Sequence, residues 1–246
     1  MGVRNPMNNL YDYGIQYNGR HSSELGLDVI DKQISFPGKN KVLISIPHSN
    51  YVYDFSQVYG TQNYTERTFT VTFNIINRSL WTKDSMYIQW TKVLDWLMKP
   101  SKKIPLYDDI MKDYYYLGEV QVKPDMDELK YRGKLTVVFQ CYPFRIYELQ
   151  EGNDIWDTFN FELDIAQLVK HDVAGSKPIV LFNIGMSNLA PVVVVSSQME
   201  FRHNGKFYRL LSGENKIVGL YLLPGINEFE VVGNGTIEFK FHKEVI

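Results

Sequence analysis

A metal site asks for three or four histidine, cysteine or carboxylate ligands converging on one point. The five histidines of this chain, His21, His48, His171, His203 and His242, are scattered, with no i, i+4 pair and no cysteine pattern beside them. They read as solvated or hydrogen-bonded side chains. Asp108-Asp109 is a carboxylate pair, yet neighbours on a turn point apart, and Asp favours turns through its own side-chain hydrogen bonds. Ser22-Ser23 and Ser196-Ser197 lack the flanking glycines of a nucleophile elbow. The glycines stand at turns, outside any phosphate-binding pattern. Cys141, the single cysteine, sits at a strand end among aromatics and reads as a small buried hydrophobe. One cysteine excludes a disulfide framework and a thiolate-built zinc site within the chain. Catalytic, cofactor-binding and metal-ligating residues are expected at no position, no cofactor is expected, and the chain is not expected to be an enzyme. Asn-x-Ser/Thr sequons at Asn63, Asn77 and Asn234 would matter in a secreted eukaryotic protein and otherwise read as accidents of a polar β-protein.

With no chemistry of its own in view, the chain is better described by its elements. At 246 residues it suffices for two domains or one large β domain. The 26 Lys and Arg nearly balance the 28 Asp and Glu, so nothing marks a nucleic-acid surface. Residues 1–10 are polar, and no stretch approaches the ~18 apolar residues of a membrane span, so a soluble protein of a reducing compartment is expected. The 17 Tyr and 14 Phe suit β architecture and aromatic-rich interfaces alike.

Turn chemistry dominates the second half. Residues 191–195 are an apolar run fitting a buried strand, and 199–203 and 206–211 flank Asn204-Gly205, a strong hairpin signal. Leu223-Pro224-Gly225-Ile226-Asn227 places Pro and Gly as a type II turn requires. Gly233-Asn234-Gly235 is read as a further turn before an alternating strand at 236–242, and 175–178 as a loop. Residues 163–169 are too short to assign. This pattern predicts a β-sandwich.

In the first half, Tyr13, Ile15 and Tyr17 alternate up to a second Asn-Gly, Asn18-Gly19, with 25–29 read as the returning strand. Residues 41–46 form a short strand stopped by Pro47. Residues 67–77 give the clearest strand, with Phe69, Val71, Phe73 and Ile75 on one face and Thr68, Thr70, Thr72 and Asn74 on the other. Residues 84–99 break the pattern: Met86, Trp90, Val93, Leu94 and Leu97 make one helical face, with Asp84 or Thr82 as cap and Pro100 as stop. Such a helix runs roughly 24 Å at the usual ~1.5 Å per residue. Residues 104–107 lead into the Asp108-Asp109 turn, and strands are expected at 114–123 and 134–141, with a charged loop from 124 to 132 and Pro143 closing the block. The acidic, irregular stretch 147–160 reads as the junction between domains 1–146 and 147–246.

Several segments, in this order and spacing, agree with one family. They are Tyr17-Asn18-Gly19 followed by a Ser and Leu25-Gly26-Leu27, the strand at 67–77, the Trp-rich helix ending Asp95-Trp96-Leu97, Tyr107-Asp108-Asp109 and Tyr114-Tyr115-Tyr116. They continue through Val138-Phe139-Gln140-Cys141-Tyr142-Pro143-Phe144, Asn183-Ile184-Gly185 followed by Pro191, and Leu223 to Asn227. The chain resembles the distal tail protein (Dit) family of long, flexible-tailed phages (siphophages) that infect Gram-positive bacteria. That resemblance implies a mainly β fold of two domains: an N-terminal β-sandwich or split barrel carrying one amphipathic helix, and a C-terminal galectin-like β-sandwich. It implies a virion structural protein of the tail tip, or baseplate, assembled in the bacterial host cytoplasm. A homohexamer built from the N-terminal domains would encircle a channel through which DNA passes without stable nucleic-acid binding. Its partners would be the tail tube protein, the hub or tail-associated lysin, and the receptor-binding or upper baseplate protein, with no membrane partner.

The alternative is a carbohydrate-binding module attaching to host cell-wall saccharides, because galectin-type sandwiches stack sugar rings on exposed aromatics. Trp156, Phe201, Phe207, Tyr208 and Tyr221 are its candidates. The galectin combinations His-x-Asn-Pro-Arg and Trp-x-x-Glu-x-Arg are missing, and no Trp follows Trp156, so these aromatics are expected in the core or at partner interfaces.

Overall fold

The computed structural model describes residues 13–58, 61–75, 82–128, 133–155, 160, 162 and 164–246. The chain divides into two compact units, Met1–Lys39 with Tyr64–Arg145, and Asn40–Asn63 with Ile146–Ile246. The sequence reading put residues 40–63 in the first domain; here they group with the second unit.

In the first unit, β1 (Ile15–Tyr17) and β2 (Arg20–His21) are joined by Asn18-Gly19 at φ 46° and 71°, the two positive values of a type I′ turn. The return is β2 and not residues 25–29. Ser22–Leu25 instead form a 3-10 turn closed by Gly26 at φ 66°, which redirects β3 (Leu27–Ile34) to another partner. The β4 (Leu43–Ser45) and β5 (Val52–Asp54) strands pair with each other. β6 (Arg67–Ile75) is the strand expected from its alternation. Phe69, Val71, Phe73 and Ile75 are buried, and β3 pairs along it with a bulge between Val29 and Asp31. Thr72, on the opposite face, is also buried, with its hydroxyl 3.2 Å from that of Thr136.

The α1 helix (Lys83–Met98) starts at Thr82, whose hydroxyl accepts from the Ser85 amide at 3.3 Å; of the two candidate caps, Thr82 serves and Asp84 sits in the first turn. It buries Met86, Trp90, Val93, Trp96 and Leu97, while Leu94 is half-buried. Trp96 was absent from the expected face, and it is fixed by its indole N–H donating to the Tyr17 carbonyl at 2.6 Å. Asn18 answers by donating to the Trp96 carbonyl at 3.1 Å, so the type I′ turn and the last helical turn are tied together.

β7 (Ile104–Asp108), β8 (Tyr114–Val120), β9 (Asp125–Glu128) and β10 (Gly133–Tyr147) complete this sheet, in the order β2-β1-β7-β8-β10-β6-β3 with β9 alongside β10. Two expectations fail here. Residues 125–128, read as charged loop, pair with β10 from Gly133↔Glu128 to Thr136↔Asp125; Met126 alone packs against the core, too little to show alternation. β10 also runs through Pro143. Its ladder with β6 ends at Cys141↔Arg67, so the missing proline N–H is not needed there.

The second unit is organised by β11 (Lys170–Asn183) and the much later β16 (Gly225–Lys240), paired without a break from Lys170↔Glu238 to Asn183↔Gly225. Between them lie β12 (Val192–Val195), β13 (Met199–His203), β14 (Lys206–Leu210) and β15 (Gly213–Lys216), and β17 (Glu244–Val245) follows. The order is β14-β13-β16-β12-β15, with β11 on β16. Asn204 and Gly205, at φ 48° and 75°, make the expected hairpin between β13 and β14.

The 175–178 loop and the 233–235 turn are both wrong, because they lie inside β11 and β16. Among the described residues β11 pairs with β16 alone, and an edge strand is where a proline such as Pro178 is tolerated. Gly233 and Gly235 lie where β16 passes from β13 to β12. A Cβ on Gly233 would stand 2.7 Å from Met199 Cγ, and one on Gly235 would run into the Ser196 hydroxyl. Close approach, rather than reversal, explains these glycines. Phe201, Phe229 and Phe239 meet at the centre of this core, with centroids 4.8–6.3 Å apart. Burying each such ring stabilises the fold by about 1.5–3 kcal/mol. The protein is thus mainly β, two sheets each curled over its own core, with one α-helix among the described residues.

Candidate functional site

Three residues judged separately in the sequence come together. His21 Nε2 lies 3.0 Å from Asp109 Oδ2, and His21 Nδ1 lies 2.6 Å from the Ser23 hydroxyl. This is the hydroxyl–imidazole–carboxylate order of acyl-transfer enzymes. The geometry nevertheless argues for a structural clasp. An oxyanion hole of this type uses the nucleophile's own amide, and the Ser23 amide donates to His21 Nδ1 at 3.3 Å, capping the 3-10 turn. Asp109 also accepts from the Gly14 amide at 3.0 Å, closing the start of β1. Asp108 points elsewhere: it is buried, binds Lys32, and accepts from the Ile110 amide at 3.2 Å. Burial and the Asp108 charge push the nearby Tyr13 hydroxyl far up from its ordinary pKa. The two adjacent carboxylates therefore diverge, as turn geometry demands.

The remaining candidates lie apart from this cluster. His171 and His242 donate to the Leu168 and Tyr147 carbonyls at 3.0 and 2.9 Å, and burial lowers the His171 pKa. Buried His203 stacks on Phe229 at 4.2 Å, with Nδ1 2.8 Å from the Glu228 carbonyl oxygen. His48 lies in the connection between β4 and β5 at φ 64°. The Ser196 hydroxyl accepts from the Thr236 amide at 2.8 Å, and Ser197 donates to the Asn234 carbonyl. Cys141 is fully buried, and burial pushes its thiol up to about 12. Asn234 accepts from the Gly175 amide at 3.0 Å, and Asn77 lies outside the described residues. Among the described residues no three His, Cys, Asp or Glu side chains are grouped to hold a metal ion. No helix among them is long and apolar enough to cross a membrane.

The saccharide candidates scatter. Phe201 is core, Tyr208 stacks on it at 5.0 Å, and Trp156 lies outside the described residues. Phe207 and Tyr221 are exposed, but the Arg202 guanidinium stands 5.4 Å from the Phe207 ring centre. A cavity of about 280 Å³ in the second unit is lined by Tyr147, Glu151, Asp164, Ile165, Gln167 and Lys243, among others. Its polar groups answer one another. Lys243 pairs with Asp164 and stands 4.4 Å from the Tyr147 ring centre, while Gln167 donates to Glu151 at 3.1 Å. Burial raises the Glu151 pKa.

No local pattern singles out the β4–β5 hairpin as a surface. Of residues 40–58, Ser56 alone is buried, and Leu43, Tyr51 and Val58 are 57%, 69% and 62% exposed. The apolar run at 42–46 reads equally as a strand covered on both faces or bare on both, and periodicity cannot separate the two.

No family model and no curated protein matches the chain. Among solved structures it is similar to the Dit protein (gp 19.1) of SPP1, whose structure is described as a paradigm of the hub adsorption apparatus in phages infecting Gram-positive bacteria. The TM-score is 0.65 at 15% identity, covering 95% of this chain and 99% of that one. It also aligns with a chain of the phage P2 baseplate in its activated conformation with Ca, at TM-score 0.40 and 9% identity over 95% of this chain and 98% of that one. Over nearly its whole length, then, the chain has the fold of the SPP1 Dit protein, the fold implied by the order of its turns, strands and helix.

Proposed function

We propose that the chain is a structural protein of a phage tail tip: a homohexameric ring adaptor joining the tail tube to the hub or tail lysin and to receptor-binding or upper baseplate proteins. The observation that carries this reading is the Dit fold, shared across 95% of the chain. The His21–Ser23–Asp109 clasp supports it, since its imidazole and carboxylate also accept from the Ser23 and Gly14 amides and so tie down the backbone. The mechanism is geometric. Six copies related by cyclic symmetry turn one heterologous contact into a closed ring. A channel that passes DNA gains from weak phosphate contact, since dense Lys and Arg contacts would retain the polymer. A formal net charge of −2 agrees with that. No catalytic role and no cofactor enters the proposal, and its place is the distal end of the tail in the virion.

Light scattering and negative-stain images of the purified full chain, alone and with its hub partner, test the reading. Sixfold rings are expected. A monomer at every concentration, with no ring even beside the hub protein, would sink it. The saccharide alternative retains Phe207 and Tyr221 as exposed rings, and specific binding of the full chain to isolated host walls would promote it.

A further inference from the structure

All 14 residues of β11 pair with β16 along one side, and among the described residues no strand pairs with the other side. An open edge of that length offers N–H and C=O groups to any extended chain that meets it. Two contacts show which groups face outward. The Val169 carbonyl accepts from the Phe239 amide at 2.9 Å, and the Gly175 amide donates to the Asn234 side chain on β16 at 3.0 Å. Backbone direction alternates along an antiparallel pair, so odd-numbered residues turn toward β16 and even-numbered ones turn away. Asp172, Ala174, Ser176, Pro178, Val180 and Phe182 therefore make the outer row. That row is blunted at three places. The Asp172 carbonyl accepts from Lys177 Nζ at 2.9 Å, and Pro178 has no N–H to offer. At Phe182 the Gln167 side chain acts as a neighbouring strand would. Its Oε1 accepts from the Phe182 amide and its Nε2 donates to the Phe182 carbonyl, both at 2.8 Å. The second amide hydrogen goes to Glu151 Oε1 at 3.1 Å, so a flipped amide would set donor against donor and acceptor against acceptor.

We propose that Gln167 is an edge guard: its amide occupies the place of a neighbouring strand at the Phe182 end of β11 and keeps another extended chain from joining the sheet there. Lys177 and Pro178 protect the rest of the row. The need is local, because Val180 is 57% exposed and Ile226, opposite Phe182, is 67% exposed. An added strand would find apolar side chains there as well as hydrogen bonds. Gln167 itself belongs to no strand, so the two bonds it makes end the ladder instead of extending it. The proposal is independent of the ring reading.

The test incubates the full chain at high concentration as wild type, as Gln167→Leu and as the double variant Gln167→Leu, Val180→Lys. Light scattering and thioflavin T follow association beyond whatever assembly the wild type forms, and circular dichroism melts confirm folding. Gln167→Leu should form thioflavin-positive aggregates about tenfold faster than wild type, and the lysine at the open edge should restore the wild-type rate. A contact that merely holds residues 164–168 in place would gain nothing from that lysine. A folded Gln167→Leu that associates no faster than wild type overturns the guard, as does aggregation that persists in the double variant. Hydrogen exchange on the wild type decides the case even where the variants do not fold. The Phe182 amide should exchange at least about tenfold more slowly than the Val180 amide, its neighbour in the outer row, and equal rates overturn the guard.

Discussion

At the scale of single residues, the chain's polar groups are informative chiefly for what they stabilise. Glu151 shows how. Burial raises its pKa above that of the unfolded chain, while Gln167 and Lys243 oppose the shift. Between the two pKa values the folded state binds more protons than the unfolded state, so stability is greatest below the unfolded pKa and falls as pH rises through the folded one. Glu151→Gln should therefore stabilise the protein at pH 7–8, with the gain vanishing near pH 4, because a neutral amide still accepts from Gln167. Thermal melts across that range decide it, and a gain independent of pH would contradict the assignment. Gly225 is a backbone case. Its φ of 92° opens β16, and Asn227 holds the loop by accepting from the Leu223 amide at 2.8 Å and donating to the Leu223 and Gly225 carbonyls. Gly225→Val should cost at least about 1–2 kcal/mol through the left-handed backbone, since no neighbour lies within 4 Å of the added Cβ. An unchanged melting temperature would refute that account.

At the scale of elements, what was legible followed from local chemistry. Both Asn-Gly turns, the alternation of β6 and most of the buried face of α1 are written in neighbouring residues, although the first turn returns through β2 rather than residues 25–29 and Trp96 joins the helix face unannounced. The cap of α1 can be tested directly: Thr82→Ala should lower stability by about 1 kcal/mol, read by chemical denaturation, while the same loss from Asp84→Ala would reassign the cap. What stayed illegible was decided by distant partners. Gly175, Pro178, Gly233 and Gly235 carry every local mark of turns, yet long-range pairing draws them into two extended strands. β9 forms because β10 offers an edge, with little help from its own Asp125-Met126-Asp127-Glu128. The His21–Ser23–Asp109 clasp joins residues 88 apart and had no motif to announce it. The hairpin was visible as a strand at 41–46, but its exposure depends on everything that fails to cover it.

At the scale of the whole molecule, recognition came from the order of weak landmarks. Identity to the SPP1 Dit protein is 15%, while the fold matches across 95% of the chain. The pairing of β11 with β16 has a consequence in time. Lys170 meets Glu238, which follows it by 238 minus 170, or 68, residues. At about 5–20 residues per second, a ribosome takes roughly 3–14 s to supply that partner. Until Gly225 emerges no part of β11 has its partner, and the Lys170 end waits longest, the condition in which nascent strands find one another. Gly175 and Pro178 interrupt the strand, and a proline inside a waiting strand hinders intermolecular pairing. The residues that disguised β11 as a loop thus act during synthesis, before there is a fold for them to support.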